Sequence, residues 1–129
     1  MKLSLKDGLP FVEINLLHKG KEVRINNVLV DTGSASTIIS TEVAIALKLE
    51  PSPNDELFRI KGVGGSEYVY EKSIDEVILG TATVHDLRVD VGAMSYGFDI
   101  NGIIGMDFLL RAKAIIDIGK MEIYPSQES

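Results

Sequence analysis

The chain has 129 residues, of which 45% are hydrophobic and 25% charged, and these proportions are ordinary for a soluble globular protein. This length suits one domain with one core, so we expect a single domain over residues 1–129. The net charge of −6 argues against a nucleic-acid-binding surface and against a polybasic membrane anchor. The absence of cysteine excludes disulfides, thiolate nucleophiles and cysteine metal sites.

The N-terminal residues 1–8 contain no apolar stretch long enough for a signal peptide. A run of about 18 apolar residues, which a membrane-spanning helix needs, occurs nowhere in the sequence. We therefore expect a cytoplasmic protein that does not bind membranes.

The first part of the chain predicts two strands joined by a turn. Residues 11–17 alternate between apolar and polar side chains, as half-buried strands do. Gly20 marks the turn, and a second strand returns over residues 21–30. Asn26 and Asn27 interrupt its alternation, which indicates a bulge or bend.

Two short helices are predicted, each after an apolar segment. Ser40 has the side chain of an N-cap for a helix over about residues 41–49, and Pro51 follows the end of this helix. A second helix is predicted over residues 106–111.

The remaining segments are rich in β-formers. The predicted elements are a hairpin of residues 57–61 and 66–70, a β-rich stretch over 74–91 with a turn near Gly80, and a C-terminal hairpin of 114–118 and 121–124. Many short strands and two short helices predict an all-β domain, either barrel-like or a sandwich.

One carboxylate stands in an unusual place. Asp31 ends the apolar run of residues 28–30 and is followed by Thr32, Gly33 and Ser34. Taken alone, Asp-Thr-Gly-Ser is good turn chemistry, and a turn is the simpler interpretation of the tripeptide. However, an ionised carboxylate at the end of a buried strand is costly unless it is hydrogen-bonded or shares a proton.

Two further motifs follow it. Ile103, Ile104 and Gly105 form an apolar-apolar-Gly segment 72 residues after Asp31. The predicted hairpin tip, Gly62-Val63-Gly64-Gly65, combines glycines with one aliphatic residue. A nucleotide-binding loop is excluded there, because the third glycine of Gly-x-Gly-x-x-Gly is absent and no Lys-Ser/Thr pair follows.

Together the three motifs resemble those of the retropepsin family, the single-lobe homodimeric aspartic proteases of retroviruses and of related cellular and bacterial proteins. The resemblance covers residues 11–124. It implies an all-β, closed-barrel-like lobe with one or two short helices and a flap hairpin.

The resemblance also implies roles for individual residues. Asp31 would be catalytic, Thr32 would bond across to the partner loop, and Gly33 would line the substrate strand, with Ser34 in the same supporting loop. The flap would consist of Gly62, Val63, Gly64 and Gly65, with Val63 capping the substrate. Ile103, Ile104 and Gly105 would form the strand that crosses beneath the Asp31 loop.

Two positions depart from the retroviral pattern. Many retroviral members have an Asp two positions after the Gly of Asp-Thr-Gly, and an Arg directly after the Gly of the second motif. Ala35 and Met106 stand at these places, so both members of that ion pair are absent and no orphan charge is left.

The function implied by the resemblance is an aspartic endopeptidase. The two Asp31 carboxylates of a homodimer would share one proton and activate a water against a peptide or protein substrate. No cofactor and no metal is required. The alternative is a non-catalytic retropepsin-like module that binds extended peptides or serves in assembly.

Other candidate residues fit ordinary structural roles. His18 and His85 are expected at the surface, since a metal site or a Ser-His-Asp triad is poorly supported by two histidines without a Gly-x-Ser-x-Gly motif. Asp107 is expected in the first turn of a helix that faces away from the Asp31 loop. Caps, turns or solvated faces are expected for Asp75, Asp86, Asp90 and Asp117.

Overall fold

A computed structural model describes residues 1–53, 55, 58–62, 65–94 and 99–127. Leu57, in the predicted hairpin, and Val63 and Gly64, at its predicted tip, lie outside the described residues. The elements within the described ranges are β1 (Ser4–Lys6), β2 (Leu9–His18), β3 (Lys21–Val30), β4 (Ile38–Ser40), α1 (Thr41–Ala46), β5 (Phe58–Gly62), β6 (Gly65–Leu79), β7 (Ala82–Gly92), β8 (Gly102–Ile104), α2 (Met106–Arg111), β9 (Ala114–Asp117) and β10 (Glu122–Pro125).

Six strands close into a barrel. Their order is β2-β3-β8-β4-β7-β6, and β6 pairs back onto β2 to complete the ring. The outer strands β1 and β5 extend this sheet from β2 and β6, and β9 and β10 form a separate two-stranded sheet. The all-β prediction is therefore confirmed, and the barrel is the correct choice over the sandwich.

The hairpin between β2 and β3 follows directly from its sequence. Lys19 and Gly20 form the connection with φ values of 49° and 80°, as a two-residue turn of type I′ requires. Further along, Val12 pairs with Val28 whereas Ile14 pairs with Ile25, so two residues of β3 oppose one residue of β2. The predicted bulge at Asn26 and Asn27 is confirmed, and Asn27 has a φ of 55°, which asparagine tolerates better than most residues.

Helix α1 begins as predicted and ends early. The Ser40 side chain accepts a hydrogen bond from Val43 N at 3.3 Å, which confirms the N-cap. The predicted end at Leu49 is wrong, since the helix ends at Ala46. Lys48 adopts a φ of 60°, and Leu49 N donates to Ala44 O at 2.7 Å, which closes the helix end.

The two faces of β3 contribute to different apolar clusters. Val28 and Val30 point into the main core of the barrel, whereas Leu29 packs on the opposite face. That second cluster, which we call the outer apolar cluster, contains Phe11, Leu29, Ile38, Met94, Ile100 and Ile103.

The two ends of the described chain pair with each other. Met1 N donates to Ile123 O at 3.0 Å, and Ile123 N donates back to Met1 O at 2.9 Å. Leu3 N donates to Met121 O at 2.8 Å. The predicted C-terminal hairpin is confirmed as β9 and β10, and its outer edge carries the first residues of the chain. Among the described residues, no helix has the length and apolar character that crossing a bilayer would need.

Candidate active site

The Asp31 carboxylate is positioned by main-chain hydrogen bonds at the end of β3. Asp31 N donates to Ile104 O at 3.0 Å, which continues the pairing of β3 with β8 by one residue. Gly33 N donates to Asp31 Oδ1 at 2.8 Å, and Ser34 N donates to Asp31 O at 3.2 Å. The side chain is half-buried, and its Oδ2 accepts no hydrogen bond from any residue that the structure describes. The loop thus fixes Oδ1 of Asp31 and leaves Oδ2 without a hydrogen bond from the described residues.

Strand β8 brings the second motif next to the Asp31 loop. It lies between β3, to which it is parallel, and β4, to which it is antiparallel. Ile103 pairs with Leu29 on one side and with Ile38 on the other. Ile103, Ile104 and Gly105 are buried, so the motif forms part of the barrel wall directly beside the loop.

Gly105 is required at its position because the loop backbone touches it. A Cβ atom there would lie 2.3 Å from Ser36 O, 2.6 Å from Ser36 C and 2.9 Å from Ser34 O. Real Cβ atoms do not approach backbone atoms this closely. The glycine of the second motif therefore lets β8 and the Asp31 loop pack together without any space between them.

The Asp107 side chain holds the C-terminal end of the Asp31 loop through hydrogen bonds to Thr37. Its Oδ2 accepts from Thr37 N at 3.1 Å, and its Oδ1 accepts from Thr37 Oγ1 and from Phe108 N, both at 2.7 Å. Thr37 Oγ1 in turn accepts from Gly105 N at 3.2 Å. The prediction that Asp107 stands in the first turn of a helix is confirmed, but the prediction that it faces away from the loop is wrong.

Main-chain hydrogen bonds join the Asp31 loop to the start of α2. They involve Ala35 and Met106, the two positions that depart from the retroviral pattern. Met106 N donates to Ser34 O at 2.8 Å, and Asp107 N donates to Ala35 O at 3.2 Å. These bonds need no particular side chain at position 35 or 106. The loop is consequently held to α2 without the ion pair that many retroviral members use.

The remaining predicted site residues lie in the Asp31 loop and at the end of the β5–β6 hairpin. Thr32 and Gly33 are exposed, and the Thr32 hydroxyl forms no hydrogen bond with a described residue. Gly62 and Gly65 pair with each other at the end of the antiparallel β5–β6 hairpin, and Val63 and Gly64 lie outside the described residues.

The two histidines differ in their surroundings. The His85 side chain is 67% exposed, which agrees with the surface prediction. The His18 side chain is only 12% exposed, so that prediction is wrong for His18, which packs at the end of β2 with its Nδ1 3.5 Å from Asp75 Oδ1. Within the described ranges, no three His, Asp or Glu side chains are grouped as a metal ion would need.

The comparison with protein families decides the assignment. The model of the family described as "gag-polyprotein putative aspartyl protease" matches residues 17–111, about three quarters of the chain. The chain belongs to this aspartyl protease family. The matched region contains the Asp31 loop, the β5–β6 hairpin, β8 and α2.

A solved structure supports the fold of the aspartyl protease family. The chain is similar to a retropepsin-like aspartic protease from Rickettsia conorii, with a TM-score of 0.65 and 20% sequence identity over 90% of this chain and 82% of that one. At this level of identity the likeness shows the retropepsin-like fold. Comparison with curated proteins gave no match.

We expect Thr37→Val to destabilise this aspartyl protease domain by about 2–3 kcal/mol, because the buried Gly105 N–H and the Asp107 carboxylate would each lose a hydrogen-bond partner. Urea unfolding monitored by circular dichroism measures this difference. Thr83→Val, at an exposed position of β7, is the matched control and should change the free energy of unfolding by no more than about 0.5 kcal/mol. Equal stability of the two variants would show that Thr37 does not fasten the loop.

Proposed function

We propose that the chain is an aspartic endopeptidase in which two copies of Asp31, one from each subunit of a homodimer, form the catalytic pair. The observation that carries this proposal is the geometry of the Asp31 carboxylate. One of its oxygens is fixed by Gly33 N, and the other is left unbonded among the described residues. A carboxylate held in this way is oriented and still able to share or accept a proton.

The second carboxylate is then supplied by another chain, because the two described acids bonded to the Asp31 loop, Asp90 and Asp107, are both engaged in hydrogen bonds there. Asp107 is the acid bonded to the Asp31 loop on the side of α2, and its oxygens already accept three hydrogen bonds. A carboxylate engaged in this way is a poor partner for sharing a proton. The exposed surfaces of Thr32 and Gly33 support an arrangement in which the same loop of a second subunit covers them across a two-fold axis.

The chemistry then follows from two carboxylates placed about 3 Å apart, which cannot both be ionised easily and therefore hold one proton between them. The ionised carboxylate takes a proton from a water molecule, whose oxygen attacks the peptide carbonyl carbon. The protonated carboxylate donates its proton to the carbonyl oxygen. Transfer of a proton to the amide nitrogen then allows the C–N bond to break and releases an amine and a carboxylic acid.

Leu29, a half-buried member of the outer apolar cluster, supports a binding preference for apolar side chains. Leu29 precedes Asp31 by two residues, so the two side chains emerge on the same face of the chain. Ile103 lies between Leu29 and Ile38 in the sheet, and both isoleucines are buried. A peptide bound beside Asp31 in an extended conformation would place an apolar side chain against Leu29, while the β5–β6 hairpin would supply main-chain groups.

The proposal is tested by incubating the purified protein with a peptide library across the acid and neutral pH range. Cleavage next to apolar residues is expected, with a bell-shaped pH–rate profile centred on the acid side of neutrality, because activity requires the singly protonated pair. Specific activity should fall on dilution as the dimer dissociates.

Two other outcomes would contradict the proposal. A rate that rises to a plateau above neutral pH would indicate a differently activated nucleophile. Binding of library peptides without cleavage would instead indicate the peptide-binding or assembly module.

A further inference from the structure

A cavity lined by cationic side chains lies far from Asp31. It has a volume of about 350 Å³ and opens between the β2–β3 turn, the segment after α1, and β6. The β2–β3 turn at the cavity lies at the opposite end of β3 from Asp31. Its polar lining consists of His18, Lys19, Lys21, Lys48, Lys72 and Ser73.

The lining carries an excess of positive charge in an otherwise acidic chain. The net charge of the whole chain is −6, yet the residues that line this cavity within the described ranges include four lysines and no acid. Lys72 is partly neutralised, because its Nζ lies 2.9 Å from Asp55 Oδ2. The main-chain hydrogen bond from Ser52 and the Lys72 ammonium hold the pKa of Asp55 below its usual range, so this pair stays charged at neutral pH.

The other three lysines are not neutralised in this way. In the part of the chain that the structure describes, Lys19, Lys21 and Lys48 form no ion pair with a carboxylate. Asp75, which lies beside the turn, accepts a hydrogen bond from Lys19 N at 2.8 Å and is close to His18, and therefore interacts with the backbone of the turn. Lys19, Lys21 and Lys48 are exposed residues that line one cavity, and their like charges favour an anion between them.

Two of these lysines stand at turn positions with a positive φ. Lys19 and Lys48 have φ values of 49° and 60°, in the left-handed region that glycine and asparagine occupy more readily. Leu47 and Leu49, which are buried on either side of Lys48, form the apolar wall of the cavity. The cavity therefore combines a cationic rim with an apolar surface.

We propose that this cavity binds a phosphorylated small molecule through its phosphate groups. Lysine ammonium groups bind phosphate as point charges, and three uncompensated lysines match the two to three negative charges of a phosphate ester or a diphosphate. The volume lies at the small end of the range for ligand pockets, and the leucine wall can contact the unphosphorylated part of such a molecule. The negative charge of the whole chain opposes an extended polyanion, which would also contact the acidic surface outside the cavity.

Isothermal titration calorimetry at fixed ionic strength tests the proposal with inorganic pyrophosphate, inorganic phosphate and sulfate as probes. Pyrophosphate is expected to bind most tightly, and the double variant Lys21→Gln/Lys48→Gln should bind it at least about tenfold more weakly. Lys120→Gln, in the turn between β9 and β10, removes one lysine charge outside the cavity and should bind like the wild type, whereas Lys21→Gln and Lys48→Gln should each weaken binding when made singly. Asp31→Asn should also bind normally, so this result is independent of proteolysis.

A second measurement uses only the wild-type protein. Mass spectrometry after limited lysine acetylation should show that pyrophosphate protects Lys21 and Lys48 but not Lys120. Equal pyrophosphate binding by the double variant, or absence of both binding and protection, would overturn the proposal. Binding to phosphatidic acid vesicles without binding to soluble pyrophosphate would also overturn it, because the ligand would then be a lipid headgroup.

Discussion

Replacing Asp31 with Asn is expected to abolish peptide cleavage and to leave the fold intact. The amide oxygen of Asn can still accept the hydrogen bond from Gly33 N, and its nitrogen replaces an oxygen that takes no hydrogen bond from the described residues. Asn cannot take a proton from water, so the rate should fall by at least about 10²–10⁴-fold. Cleavage of a fluorogenic peptide chosen from the library gives the rate, and circular dichroism gives the fold.

The matched control is Asp86→Asn. Asp86 is exposed and has a φ of 52°, a conformation that Asn adopts readily, so this variant should keep full activity and stability. Adding excess Asp31→Asn chains to the wild type, under conditions that permit subunit exchange, should lower its activity through heterodimers with one carboxylate. Unchanged turnover by Asp31→Asn would reject the catalytic assignment, and loss of its circular dichroism signal would support the simple-turn interpretation.

Gly105→Ala is expected to have the largest effect on stability. The added Cβ would meet backbone atoms of Ser36 and Ser34, which cannot rotate away as a side chain can. The loop and β8 would have to separate, and we expect a loss of more than about 3 kcal/mol in the free energy of unfolding. The φ of Gly105 is −100°, which alanine adopts without strain, so the effect is one of space rather than of backbone freedom.

Gly119→Ala provides the control for this prediction. A Cβ at Gly119 would lie 3.5 Å from Asp117 Oδ1, an ordinary contact distance. Urea unfolding should show a change of no more than about 0.5 kcal/mol for this variant. If Gly105→Ala were equally harmless, the close approach of β8 to the Asp31 loop would be refuted.

The features that could be predicted from the sequence are those that a few neighbouring residues determine. The turn at Gly20, the N-cap at Ser40 and the bulge at Asn26 and Asn27 depend on the conformational preferences of those side chains. Asp31 was identifiable as a candidate because an acid at the end of an apolar run needs partners. All of these signals lie within short stretches of the chain.

The features that could not be predicted depend on residues far apart in sequence. Asp107 and Thr37 are 70 residues apart, and only the insertion of β8 beside β3 brings them together. His18 is largely covered because β2 pairs with β6, which places Asp75 beside it. The end of α1 was also missed, because the left-handed conformation of Lys48 is unusual for lysine and has no marker in the sequence.

The position of β8 has a consequence for the order of folding. β3 and β4 are synthesised early, but the strand between them, residues 102–104, comes late in the chain. Until it inserts, Asp31 N lacks Ile104 O, and Thr37 lacks both Gly105 and Asp107. Contacts over such separations form slowly, since the chain must close a long loop before they stabilise it. Asp31 therefore stays in an unformed loop until residues 102–107 have been synthesised, and its carboxylate acquires a fixed orientation only when the barrel closes.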